Sequence, residues 1–103
     1  MLDFDTLAEQ RAKRLNQAQE QWRQAVWSPD FQRFSTNMSD GEVEQLVSWC
    51  PSVSHLHALM KHLEKLAKEK GVTPFPCLVE LADQAKLTPE DWIKAHLPLS
   101  PKL

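Results

Sequence analysis

Glycine is nearly missing from this 103-residue chain, with Gly41 and Gly71 its two copies, and tyrosine is missing altogether. A phosphate-cradling loop needs several glycines close together, so that class of nucleotide site is excluded. Two cysteines, Cys50 and Cys77, are too few for a disulfide scaffold, and they are expected as reduced, buried thiols. No apolar run approaches the ~20 residues of a membrane span. The opening "MLDFDTLAEQ" carries acid where a signal peptide needs a basic region, so a cytoplasmic protein that does not engage a membrane is expected. A basic excess is lacking too. The formal charge is −2, without the surplus that gives nucleic-acid binders their general affinity for phosphate. Strand-type alternation is not sustained anywhere, and no repeat or low-complexity segment stands out.

What the chain does contain points to helices. Hydrophobic residues at 42% and charged residues at 25% suit a globular protein, and 7 prolines against 2 glycines stiffen its connections. One domain over residues 1–97 with a tail at 98–103 is expected, burying about 65% of the surface of the unfolded chain. A long first helix is predicted from Asp3 or Asp5 to about Trp27. Its stripe holds Phe4, Leu7, Ala8, Leu15, Ala18, Trp22, Ala25 and Val26, with Arg11 at mid-stripe. Beside it runs a polar strip of Gln10, Arg14, Gln17, Gln21 and Gln24.

Local start signals mark the remaining helices. Ser28 with Pro29 opens a short turn through Phe34, and "SDGE" at 39–42 is a capping box. The helix behind that box carries Val43, Leu46, Val47 and Cys50 at i, i+3, i+4, i+7, and Pro51 closes it. Ser52 or Ser54 caps a helix with Leu56, Leu59, Met60, Leu63, Leu66 and Ala67 on one face, ended by Gly71. "VTPFPC" reads as a stiff connector, so the next helix is placed from Pro76 with Leu78, Leu81, Ala82 and Ala85 inward. Thr88 and Pro89 open the last one, inward through Trp92 and Ala95. The fold class is thus all-α, a single irregular bundle of five or six helices ending in a helix-turn-helix-like pair.

Constellations for chemistry are weak. His55 and His57 point about 200° apart on a helix and cannot share a metal ion. Cys50 falls at a helix C-terminus, the wrong pole for a reactive thiolate, and Cys77 has no base beside it. Paired acids such as Glu90 and Asp91 sit in first turns, where the helix dipole explains them. No enzyme activity, metal or cofactor is expected.

Two surfaces remain. Lys61, Lys65 and Lys68 share an edge opposite the leucine stripe and, with Lys94 and the last two helices, could face nucleic acid. Against that stand Lys86, where a turn glycine is common, and Glu90 and Asp91, which phosphates would repel. The other surface is aromatic. Trp22 and Trp92 fall on inward faces, whereas Trp27 and Trp49 lie off the apolar stripes of their helices. Tryptophan is the residue most enriched at energetic anchors of protein interfaces. The leading expectation is therefore a protein–protein interaction module, an adaptor, inhibitor or accessory subunit. Trp27 and Trp49 would supply desolvated area, and Arg11, Arg14, Gln17 and Gln21 hydrogen bonds, with internal pairing the alternative for Arg11. A homodimer on the alanine-rich stripe is a variant of the same idea.

Overall fold

The computed structural model describes residues 4–15 and 19–97, and the side chains of all of these except 13–15. Arg14, Gln17 and the tail at 98–103 fall outside the residues or side chains so described. Seven α-helices and no strand are present among the described residues. They are α1 (Phe4–Leu15), α2 (Gln19–Val26), α3 (Pro29–Phe34), α4 (Asp40–Trp49), α5 (Val53–Lys70), α6 (Pro74–Gln84) and α7 (Pro89–His96).

The expected single long helix is instead an antiparallel pair. Asp5, near the start of α1, lies 3.6 Å from Arg23 near the end of α2, and Glu9 accepts from Gln19 Nε2 at 3.5 Å. The reason is burial. A continuous helix of 24 residues would run ~36 Å, the whole length of a globule measuring 35 × 32 × 24 Å, and would expose both ends of its stripe. Folded back, Leu7, Ala8, Ala12, Trp22, Ala25 and Val26 all enter one core. Ala8, Ala12 and Ala25 are buried at 0–5% exposure by the chain itself, and Leu15 and Ala18 of the expected dimer stripe lie outside the described side chains.

The other elements follow their local chemistry. Ser28 accepts from the Phe31 amide with Pro29 at the first helical position, and Ser39 and Glu42 form both bonds of the capping box. Ser52, of the two candidates, caps α5, and Gly71 ends it in the left-handed region at φ 71°. Helix α6 starts at Pro74 rather than Pro76. A first turn leaves its amides without intrahelical partners, so a proline at its first position and another at its third remove no helical hydrogen bond.

The connection from α6 to α7 is a Schellman turn. Leu87 N donates to Ala82 O at 2.9 Å, Lys86 N donates to Asp83 O at 3.0 Å, and Lys86 takes φ 61°. Of the residues expected inward, Ala85 and Ala95 are exposed, and Trp92, Ile93 and Leu97 are the buried residues of the last segment.

Helix α5 is the centre of the bundle and packs on α2, α3, α6 and α7. Leu56, Leu59 and Leu63 on it are fully buried. Removing each from water contributes on the order of 2 kcal/mol. Trp92 lies between two imidazoles, His96 at 4.8 Å and His62 at 5.7 Å between ring centroids, and thereby joins α7 to α5.

Candidate partner-binding surface

Trp27 directly follows the last residue of α2 and is 48% exposed, the most exposed large hydrophobic among the described residues. It is nevertheless held in place. Its Nε1–H donates to Asp5 Oδ1 at 2.8 Å, and Phe4 meets its ring edge to face at 5.2 Å. Phe4 in turn packs at 6.1 Å on the fully buried Phe31. The anchor for the indole is therefore Phe4, across the hairpin, and Phe31 and Phe34 lie beneath in the core. An aromatic so braced has little rotamer entropy left to lose on docking.

Charged groups adjoin this indole through Asp5, and a second cluster lies at the start of α3. Arg23 is shared between Asp5 and Glu20, both at 3.6 Å. Gln24 donates to Glu20 at 3.2 Å. Asp30, in the first turn of α3, pairs with Arg33, which also reaches Glu64 at 3.6 Å. All of these groups are mainly solvated, so each pair adds at most about 1 kcal/mol to stability. Their weight is in the sign of the surface field.

The other expected contact residues are dispersed. Trp49 is half-buried and stacks on Phe75 of α6 at 5.6 Å and 19°, so α6 covers one of its faces. Gln21 is exposed and, with Gln24, Ser52, Ser54 and His57, lines an open polar cleft of about 620 Å³ between α2 and the start of α5.

Arg11 is inside the protein at 3% exposure. Its Nη2 donates to the Cys50 carbonyl at the C-cap of α4, and its guanidinium lies 5.3 Å from the centre of the Trp22 ring. It ties the hairpin to α4 from inside the protein, where the expected contact role had placed it at the surface. Burial pushes the Cys50 thiol up to about 12, against a smaller opposing pull from Arg11. Burial also raises the Cys77 thiol, with Lys70 pulling it down and Glu80 adding to the rise.

Lys61, Lys65 and Lys68 are exposed along α5, and no carboxylate of the described residues lies within ion-pair distance of them. Glu64, which could have relieved them, is turned to Arg33. Lys94 pairs with Glu90 at 3.4 Å and is partly neutralised. Among the described residues no group of three His, Cys, Asp or Glu could hold a metal ion, and no helix is long and apolar enough to cross a membrane.

Asp5 and Phe4 are the neighbours of the Trp27 indole that the sequence does not signal. Asp5 had been assigned only to starting a helix, and a contact spanning 22 positions leaves no periodic trace. Comparison of the chain with protein-family models, curated proteins and solved structures finds nothing that matches.

Proposed function

We propose that this protein is a small, non-enzymatic protein–protein interaction module that docks through Trp27. The observation that supports the reading is a tryptophan 48% exposed as a residue, with its indole held by a hydrogen bond to Asp5 and a ring contact with Phe4. Solvated tryptophan carries a cost in unburied apolar area, and pre-ordering lowers the entropy lost when a partner covers it. Trp49, with one face stacked on Phe75, is a secondary contact.

The test is Trp27→Ala in the full chain. Partner association should weaken by ~2 kcal/mol or more while helical content stays unchanged, because the residues beneath the indole form the core without it. Undiminished association with the variant would refute the proposal.

A second reading has one observation in its favour. The Lys61, Lys65, Lys68 edge lacks described carboxylate partners and could follow a nucleic-acid backbone. That reading requires affinity that falls steeply with salt. Absence of any mobility shift with duplex or single strands at low salt would dismiss it.

A further inference from the structure

The rim of the Trp27 surface carries a sign, and a sign selects partners. Asp5, Glu9, Glu20 and Asp30 are exposed carboxylates on the α1–α2 hairpin and the first turn of α3. Arg23 lies among the first three, and Arg33 and Lys61 flank Asp30. Each guanidinium is divided between two carboxylates: Arg23 between Asp5 and Glu20, and Arg33 between Asp30 and the more distant Glu64. On the Asp5 side of the indole two carboxylates, Asp5 and Glu20, share the single Arg23 guanidinium, and that side is net negative. The indole spends its polar edge on Asp5 and meets Phe4 on one side, and 48% of the residue remains open.

An open indole beside carboxylates has a definite preference. Its face attracts a cation, and the neighbouring carboxylates accept hydrogen bonds from the same cationic head. Acidic peptides, nucleic acid and anionic lipid surfaces are all repelled by this rim. We propose that the Trp27 surface receives a cationic segment of a partner protein, with an arginine or lysine side chain laid over the indole and its head directed to the Asp5 and Glu20 side. This inference rests on the docking role of Trp27 and adds the chemistry of what docks there. The same rim disfavours any anionic occupant of this face, and the lysine edge of α5 meets it at Lys61, which lines one cleft with Asp30 and Arg33.

The experiment titrates the full-length protein, by tryptophan fluorescence and calorimetry, with two synthetic amphipathic helical peptides. One carries arginine at every polar position and the other glutamate, with identical apolar faces. The arginine peptide should bind, more weakly as salt rises, and the glutamate peptide should not. Trp27→Ala, and separately the triple variant Asp5→Asn, Glu9→Gln, Glu20→Gln, should each weaken that binding by about tenfold or more. Circular dichroism on both variants ensures that a lost fold is not taken for a lost surface. Equal binding of the two peptides, binding of neither, or full binding by the triple variant overturns the cationic partner. So does a dimer in light scattering that Trp27→Ala dissolves, which would put a second copy of the chain on this face. A native partner captured by the wild-type chain and lost with Trp27→Ala, but recognised through an acidic or neutral segment, would overturn this inference and leave the docking role of Trp27 standing.

Discussion

Replacing Lys86 with glycine should make this protein more stable, although it removes a charge and a long side chain from an exposed turn. Lys86 is the non-glycine residue found at positive φ among the described residues, at 61°, in the C′ position of the Schellman turn that ends α6. A side chain in this region brings Cβ too close to the following carbonyl oxygen, at a cost of roughly 1–2 kcal/mol. Glycine avoids that cost but gains about 0.5–1 kcal/mol of extra backbone entropy in the unfolded chain. The net for Lys86→Gly is a stabilisation of roughly 0.5–1 kcal/mol, or about 3–6 °C in Tm for a chain of this size. Gly71 provides the converse case. It has φ 71° in the corresponding turn after α5, and a Cβ added there would meet nothing within 4 Å. Gly71→Ala therefore tests backbone strain without a clash, and it should cost about 1 kcal/mol. Urea unfolding of wild type, Lys86→Gly, Lys86→Ala and Gly71→Ala is the assay, read as midpoint shifts at constant m-value. Lys86→Ala separates charge from strain and should leave the midpoint nearly in place. A Lys86→Gly midpoint at or below wild type would show that residue 86 is not left-handed in solution and would refute the reasoning.

Other consequences follow from buried and titrating groups. Arg11→Ala strands the Cys50 carbonyl, removes a cation from the Trp22 face and leaves a cavity, so thermal unfolding should show a loss of ~3 kcal/mol or more. Cys50, with its thiol held up at about 12, should resist alkylation at pH 8 in the folded protein and react only when urea unfolds it. The pKa of His55 is lowered by burial, with a hydrogen bond to the Leu97 backbone pulling the other way. A depressed imidazole value means that the unfolded chain takes up the proton first. The stability associated with His55 is therefore present above its ordinary value of 6.5 and lost as pH falls through 6.5 toward the folded value. Urea midpoints between pH 8 and pH 5 should decline in that window in wild type and decline less in His55→Gln.

The parts of this fold that could be read in advance were those with local causes. Ser39 with Glu42, Ser28 with Pro29 and Thr88 with Pro89 each determine a helix start within four residues, and each start lies where its cap dictates. The hairpin of α1 and α2 could not be read in this way. Its apolar residues satisfy one continuous stripe as well as two shorter ones, and the choice depends on burial across the whole globule. Helix α6 began earlier than expected because two prolines in a first turn look like a connector until the unpartnered amides there are considered. Of the candidate surface, Trp27 was legible because it lies off its stripe. The burial of Arg11 was half legible: its place at mid-stripe pointed inward, but its acceptor on Cys50 lies 39 positions away. Trp49 depended on Phe75, which the connector reading had left outside any helix.

The hydrogen bond from Trp27 to Asp5 fastens the end of α2 to the start of α1. Whatever settles on that indole therefore acts on a latch. A visitor that leaves the N–H on Asp5 adds its affinity to the closed hairpin, and hydrogen exchange in α1 and α2 slows. One that takes Asp5 for its own cation loosens the same two helices as it binds, and exchange there quickens while the rest of the bundle is undisturbed.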